Sequence, residues 1–168
     1  MRRDLFWIPG PWRGKLAIAT RPRGGDWLLD EARLWRQAGL DVAVSLLETD
    51  EAEQLELQHE REAAETSKLR FVSFPIPDRG EPASTSHTIA LLKDLADLLE
   101  SGENVAIHCR QGIGRSGLIA AGLLMTSGMN AGQAIGVVSS ARGLAVPETA
   151  EQLQWLRRLP AEILTEAR

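Results

Sequence analysis

Cysteine and tyrosine are the residues that this sequence most obviously lacks. The 168 residues contain one cysteine, Cys109, and no tyrosine. A single cysteine cannot form an internal disulfide, and it cannot build a metal cluster from cysteines alone. The three histidines, His59, His87 and His108, do not show metal-ligand spacing. We therefore expect a cytoplasmic protein of a reducing compartment that holds no metal and no cofactor.

Long apolar runs and an excess of positive charge are also missing. No run approaches the roughly 18 apolar residues of a membrane-spanning helix. The apolar run from Leu5 to Ile8 is too short for the core of a signal peptide. The formal net charge of -4 disfavours nucleic acid or an anionic membrane surface as the main partner. We expect a soluble monomer that binds neither.

The chain length suits one domain covering residues 1–168, and no repeat or low-complexity linker divides it. Short β-branched runs alternate with amphipathic stretches, and this alternation indicates an α/β fold. The pattern predicts strands at 5–8, 16–19, 41–47, 69–76 and 104–108. It predicts helices at 26–39, 84–99, 116–128 and 130–141, and a last helix that begins at Pro147 and is kinked or interrupted at Pro160.

An acidic segment runs from Thr49 to Glu65. Thr49 or Asp50 is the expected helix cap, and Asp50 with Glu53 fits a capping box. The simplest interpretation is a solvated surface helix, and a face that recognises a partner is the alternative.

The stretch AIHCRQGIGRSG, residues 106–117, combines a buried strand, a glycine-rich loop and the start of an apolar helix. The first turn of a helix has unpaired amide N–H groups and partial positive charge, so an anion fits there. Gly112 and Gly114 allow successive amides to point inward. Arg115 adds a guanidinium that can hold two phosphate oxygens.

Cys109, at the start of this loop, has two interpretations. A lone cysteine at a strand end is often a small buried hydrophobic residue. A thiol beside an arginine at a helix N-terminus instead has a lowered pKa and is a nucleophile. The loop around it favours the nucleophile, with Ser116 donating a hydrogen bond to the thiolate. His108 is expected to be a buried, hydrogen-bonded structural histidine.

HCRQGIGRSG, residues 108–117, resembles the HCxxGxxRS/TG signature of the cysteine-dependent protein tyrosine phosphatase superfamily. The small size is similar to the dual-specificity branch. The context FPIPDRGEP, residues 74–82, resembles the cyclin-dependent kinase inhibitor-3-like and bacterial members. The resemblance implies a three-layer domain with a central, mostly parallel twisted sheet flanked by helices. It also implies a phosphomonoester hydrolase that forms a phosphocysteine intermediate on phosphotyrosine, and also phosphoserine or phosphothreonine, in proteins or peptides.

The resemblance assigns roles to particular residues. Cys109 is the nucleophile, Arg115 binds phosphate, and Ser116 steadies the thiolate. Phosphate or vanadate is expected to occupy the loop formed by Cys109, Arg110, Gln111, Gly112, Ile113, Gly114 and Arg115.

Breaking a phosphate ester also needs a proton for the leaving oxygen. Asp78, in a loop between prolines and Gly80, matches the family's general acid, and Glu81 is the backup. Gln152, in the element PETAEQ, resembles the family's T-x-x-Q and either places the attacking water or is a solvated helix residue. Arg79 either reads a substrate anion or is a plain surface charge.

The sequence departs from the family pattern in one respect: it has no tyrosine, the residue that sandwiches a phosphotyrosyl ring in tyrosine-specific members. Three alternative functions are also considered. Lipid phosphatases of the superfamily carry lysines in the loop, so an inositol-phosphate or phosphoinositide substrate is less favoured, although Arg110 allows it. A rhodanese-like sulfurtransferase or a non-catalytic phosphate-binding module would need no acid.

Overall fold

The computed structural model describes the backbone of residues 4–166 and the side chains of residues 4–160. Its strands are β1 (Leu5–Ile8), β2 (Leu16–Ala19), β3 (Val42–Ser45), β4 (Arg70–Ser73) and β5 (Val105–His108). Its α-helices are α1 (Leu28–Gln37), α2 (Thr49–Gln54), α3 (Glu60–Thr66), α4 (Thr85–Glu100), α5 (Gly114–Thr126), α6 (Ala131–Arg142) and α7 (Ala150–Glu166). No helix in this part of the chain is long and apolar enough to cross a membrane.

The five strands form one sheet in the order β1-β2-β5-β3-β4. Only β1 and β2 pair antiparallel; the other neighbours are parallel. The predicted α/β fold, with a mostly parallel sheet flanked by helices, is therefore confirmed. The fully buried strand β5 lies in the centre, so the loop after it emerges at the carboxyl edge of the sheet, where α/β proteins bind ligands.

The two faces of the sheet differ in side-chain size. Val105, Ile107 and their neighbours on β2 and β3 pack into the larger core with α4 to α7. The opposite face carries alanines, including Ala43 and Ala106, which leave room for Trp35 of α1. This small-residue face also carries His108, whose ring lies 5.9 Å from the Trp35 ring.

Helix α5 is buried at every position from Gly114 to Met125, as expected of a helix that is apolar on all sides. Close packing requires glycine within it. A Cβ at Gly117 would lie 2.8 Å from the Val146 side chain. The helix that starts at the anion-binding loop is therefore fixed in the core.

The sequence prediction was wrong about the cap of the acidic segment and about the start and the interruption of the last helix. The acidic segment forms two short helices, α2 and α3, and the first is capped by Glu48 in a capping box with Glu51. Helix α7 begins at Ala150 rather than Pro147, because Thr149 and Gln152 form the reciprocal capping hydrogen bonds, each about 3.2 Å. The helix then continues through Pro160 without interruption.

Candidate active site

The loop between β5 and α5 closes tightly because of one glycine. Gly112 has a φ of 71°, in the left-handed region that side chains disfavour. A Cβ there would also lie 3.2 Å from the Ala19 carbonyl oxygen of β2. The turn brings the loop amides toward the start of α5, the arrangement that an anion needs.

Cys109 lies at the base of this loop and is 3% exposed. Burial alone would raise the pKa of its thiol. Hydrogen bonds from the Ser116 hydroxyl, the Ser116 amide and the Gly112 amide, together with the charge of Arg115, outweigh burial and lower the pKa below its ordinary value. The surroundings of the thiol therefore favour its ionised form more than those of an ordinary core cysteine do.

The Ser116 hydroxyl is fully buried. Within the described residues its one polar contact is with the Cys109 sulfur, and that contact departs from standard hydrogen-bond geometry. At the sulfur the hydroxyl stabilises the charged form. A buried hydroxyl without another partner is costly, which indicates that it serves this site.

Arg115 is buried, and its guanidinium is held from two sides. It donates to both carboxylate oxygens of Glu51, at 2.6 and 2.9 Å. It also donates to the Ile76 carbonyl at 2.9 Å and to the Asp78 carboxylate at 3.1 Å. The sequence placed Arg115 correctly in the loop but gave no sign of the carboxylate that orients it.

Glu51 and Glu60 correct the interpretation of the acidic segment as a solvated surface. Both carboxylates are turned inward and buried. Glu51 pairs with Arg115, and Glu60 pairs with His108 at 2.7 Å. A buried carboxylate is stable only when it is paired, so these two acids face the two basic side chains next to Cys109. The remaining acids of the segment, at 50, 53, 56, 62 and 65, are exposed.

Asp78 and Cys109 line the same small cavity of about 70 Å³. Its carboxylate contacts Arg115, while half of the side chain remains exposed. A carboxylate with one side in the cavity and the other toward solvent can reach a leaving oxygen. The cavity is lined by Asp78, Arg79, Cys109, Gln111, Gly114, Arg115 and Glu148.

Gln152 is fully buried, so its interpretation as a solvated helix residue was wrong. Its Oε1 accepts from the amides of Glu148 and Thr149, at 3.0 and 3.2 Å. Its Nε2 donates to the Gly80 carbonyl at 3.0 Å. The side chain therefore ties the loop that carries Asp78 to the start of α7.

Glu148 is a cavity residue that the sequence analysis missed. Its carboxylate accepts from the Arg79 guanidinium at 2.9 Å, and a Cβ at Gly114 would meet it at 2.9 Å. Arg79 itself has a φ of 61°, uncommon for a residue with a side chain. Arg79 is therefore ion-paired at the mouth of the cavity rather than free in solvent. The only sequence signal for Glu148 was its position beside the T-x-x-Q element.

Arg142 supports the loop from outside. Its Nε donates to the Gly112 carbonyl at 2.8 Å, and its Nη2 donates to the Gln111 carbonyl at 3.2 Å. The guanidinium also stacks 4.0 Å from the Phe6 ring. These contacts turn the loop carbonyls outward and leave the amides for the cavity.

The remaining loop and acid candidates are divided between the site and the surface. Arg110 is partly exposed, 3.9 Å from Glu51, and its carbonyl accepts from Arg21 at 2.7 Å. Ile113 packs against the core. Glu81, the backup acid, is paired with Arg158 at 3.2 Å instead of lining the cavity.

Fold and site together define a class: an α/β domain in which a cysteine follows the central strand and a glycine-rich loop connects that cysteine to a buried helix. The family model described as "Tc-R-P: Polymorphic toxin system, DSP-PTPase phosphatase" matches residues 18–129. The chain belongs to this family of dual-specificity-type protein tyrosine phosphatases. Within the described residues, no group of three or more His, Cys, Asp or Glu side chains could hold a metal ion.

Two curated relatives show similarity over part of their length. The chain is 36% identical over 84 residues to rat cyclin-dependent kinase inhibitor 3, covering 49% of this chain and 39% of the relative. It is 33% identical over 66 residues to human tyrosine-protein phosphatase non-receptor type 18, covering 39% of this chain and 14% of the relative. The chain thus spans less than half the length of these relatives.

Solved structures match over nearly the whole chain. Kinase associated phosphatase, with its catalytic-site cysteine replaced by serine, has a TM-score of 0.82 at 18% identity and 95% coverage of both chains. Tk-PTP in its active form has a TM-score of 0.77 at 29% identity, covering 96% of this chain and 99% of that one. The former likeness shows the fold; the latter adds a closer sequence similarity.

Proposed function

We propose that this protein is a cysteine-based phosphatase of the dual-specificity type that hydrolyses phosphomonoesters of proteins or peptides through a phosphocysteine intermediate. One observation carries the proposal. A thiol with a lowered pKa, a buried oriented arginine and a carboxylate meet around one small cavity: Cys109, Arg115 and Asp78.

In the first step the Cys109 thiolate attacks phosphorus. The S–P bond forms while the P–O ester bond breaks. Loop amides and Arg115 hold the phosphate oxygens and stabilise the charge that spreads over them. Asp78, protonated, donates its proton to the leaving oxygen. Asp78 contacts an Arg115 N–H that faces the cavity, and we infer that a bound phosphate takes over this N–H.

In the second step water attacks the phosphocysteine, and the S–P bond breaks. Asp78, now ionised, accepts the water proton. Gln152 has its amide groups engaged with backbone partners, so we assign it the positioning of the Asp78 loop. Glu148 lines the same cavity as Asp78, and its carboxylate would meet a Cβ at Gly114, the first residue of α5, at 2.9 Å.

Several features favour this function over its alternatives. A sulfurtransferase or a binding module has no use for an acid opposite the thiol, yet Asp78 is held there by Arg115. The loop side chains contain no lysine, which disfavours phosphoinositides, although Arg110 remains partly exposed beside the loop. A reducing compartment such as the cytoplasm keeps Cys109 active, because no second cysteine can protect it after oxidation. We infer that it acts there as a monomer.

The test is hydrolysis of an artificial aryl phosphate by the unmodified protein and by Cys109→Ser. We expect turnover by the unmodified protein, inhibition by orthovanadate and no effect of a chelator. Cys109→Ser should lose turnover while it still binds orthovanadate. Turnover retained in Cys109→Ser would contradict the nucleophile assignment.

The substrate class needs a second measurement. A panel of phosphotyrosyl, phosphoseryl and phosphothreonyl peptides and inositol phosphates separates the protein phosphatase from the lipid-type alternative. Preference for inositol phosphates over all three peptides would refute the assigned substrate class and leave the phosphocysteine chemistry intact.

A further inference from the structure

A buried acid–base pair next to Cys109 takes no part in the steps above. The side chains of Glu60 and His108 are 6% and 1% exposed. Both carboxylate oxygens of Glu60 face the same ring nitrogen, Nε2, at 2.7 and 3.0 Å. The pair lies under α3 and beside Trp35, on the small-residue face of the sheet.

The geometry favours a proton on each ring nitrogen. The second ring nitrogen of His108, Nδ1, lies 3.3 Å from the Cys109 carbonyl oxygen. A carbonyl oxygen can only accept, so this contact suits a protonated Nδ1. An ionised carboxylate also only accepts, so the contact with Glu60 suits a protonated Nε2, and the two contacts together suit an imidazolium. A buried charge of this kind needs its partner, which Glu60 supplies.

We propose that Glu60 is a positioning residue for the chemistry of Cys109: it keeps both ring nitrogens of His108 protonated, so that an imidazolium bonded to the Cys109 carbonyl helps to hold the neighbouring sulfur as a thiolate. The inference rests on the proposed function in that Cys109 is the nucleophile. It adds a carboxylate outside the cavity, which touches neither substrate nor sulfur.

The orientation of the pair gives the effect its sign. Nδ1 faces Cys109 and Nε2 faces Glu60, so the positive ring stands between the carboxylate and the cysteine. The nearer positive charge acts more strongly on the sulfur than the more distant negative charge. Burial would lower the pKa of His108, but the charge and hydrogen bond of Glu60, aided by Cys109, raise it. On the sulfur itself the other stabilising groups are Ser116, Gly112 and Arg115.

The experiment is the pH dependence of alkylation of Cys109 by iodoacetamide, which reports the thiolate without any substrate. We compare the unmodified protein with Glu60→Gln and with the matched control Glu31→Gln. Glu31 is also 6% exposed and ion-paired, at 2.8 Å from Arg23, and it does not line the cavity. Glu60→Gln should raise the alkylation midpoint by about one pH unit, about a tenfold loss of thiolate below both midpoints. Glu31→Gln should leave it unchanged.

An unshifted midpoint in Glu60→Gln, or an equal shift in Glu31→Gln, would overturn the proposal. A second measurement needs no variant at position 60. Nitrogen-15 chemical shifts of the His108 ring, assigned in a protein where the exposed His59 and His87 are replaced by glutamine, should show two protonated nitrogens at pH 7. A neutral ring there would overturn the proposal even if Glu60→Gln fails to fold.

Both readouts are independent of turnover. A protein that shows the shift and the imidazolium but hydrolyses no phosphate ester would refute the proposed function and keep this inference. An active phosphatase with a neutral His108 would keep the proposed function and refute this inference.

Discussion

Arg115 shows how one buried side chain connects the loop to the rest of the site. A guanidinium in the core is costly unless its donors are satisfied. Here Glu51 binds two of them in a bidentate pair, and the Ile76 carbonyl holds the group further. The donor that faces Asp78 is the one directed at the cavity. The arginine is thus fixed in place before an anion arrives.

Replacing Glu51 should therefore damage both stability and binding. Glu51→Gln removes the buried carboxylate of the bidentate pair and leaves Arg115 with only the half-exposed Asp78 as a charged partner, at a cost of about 3–5 kcal/mol in the free energy of unfolding. We expect orthovanadate to bind more weakly as well, because the guanidinium loses its fixed orientation. Urea unfolding and orthovanadate titration measure the two effects.

The control is Glu53→Gln, an exposed acid on the same helix, which should change neither quantity by more than about 0.5 kcal/mol. Equal effects of the two variants would show that the charge of α2, rather than the Glu51–Arg115 pair, matters.

Asp78 and Glu81 are two acids three residues apart with different surroundings. Asp78 faces the cavity, and Glu81 pairs with Arg158. Asp78→Asn removes the proton donor, so we expect kcat to fall about 10²-fold or more for poor leaving groups and less for good ones. Glu81→Gln should leave kcat near that of the unmodified protein. Steady-state kinetics on aryl phosphates of graded leaving-group pKa measure both variants. A loss of kcat in Glu81→Gln, with kcat retained in Asp78→Asn, would assign the general acid to Glu81.

At the scale of elements, the loop that carries Asp78 is held against the start of α7. Arg79 pairs with Glu148, the Thr149 hydroxyl donates to the Arg79 carbonyl at 3.3 Å, and Gln152 donates to the Gly80 carbonyl. The same Gln152 side chain caps the helix. The buried side-chain amide of Gln152 therefore orders both the start of α7 and the loop that carries Asp78.

Gln152→Ala should loosen both elements. Removing these buried hydrogen bonds leaves backbone groups unpaired, at a cost of about 1–3 kcal/mol. We expect kcat to fall about tenfold with little change in KM, and amide hydrogen exchange to speed up around residues 78–80. Gln154→Ala, an exposed glutamine on the same helix, is the control. Unchanged exchange in Gln152→Ala would show that the loop is ordered without it.

At the scale of the whole molecule, carboxylates outside the cavity set the response to acid. Burial would raise the pKa of Glu51, but hydrogen bonds and charge from Arg115, with the Glu48 amide, lower it. Burial likewise opposes the lowering of the pKa of Asp41 by the Asn104 amide and Arg36. Through this hydrogen bond from the Asn104 amide, the Asp41 carboxylate joins the start of β3 to the start of β5. The folded state therefore holds fewer protons at these groups than the unfolded chain.

Such lowered carboxyl pKa values contribute stability above the ordinary carboxyl pKa of about 4, and this stability is lost as pH falls through the lowered values. We expect the free energy of unfolding to decline steeply below about pH 5. The decline should be shallower in Asp41→Asn, because one of the two groups no longer titrates. Urea unfolding from pH 3 to 7 measures the slope, and identical slopes in both proteins would contradict the role of Asp41.

Much of the fold could be predicted from local pattern. β1 and β2 were predicted to the residue. The helices predicted from residues 84 and 130 are α4 and α6, and Ser84 and Asn130 cap them; such a start is visible in the sequence because a cap depends on neighbours three residues away. The loop with Cys109, Gly112 and Arg115 was also visible, since its chemistry lies within one continuous stretch. The roles of its residues stay predictions until the kinetic tests above.

What the sequence by itself determined is the set of contacts that are local along the chain: the alternation that gives an α/β fold and the loop that can bind an anion. Only the tertiary structure decided that Glu51 and Glu60 turn inward, 64 and 48 residues from their partners Arg115 and His108. An acidic stretch looks solvated until the surface that packs on it is known. The pairing energy of a buried charge depends on a partner that no local pattern specifies, so this part of the site emerges only when the helices pack on the sheet.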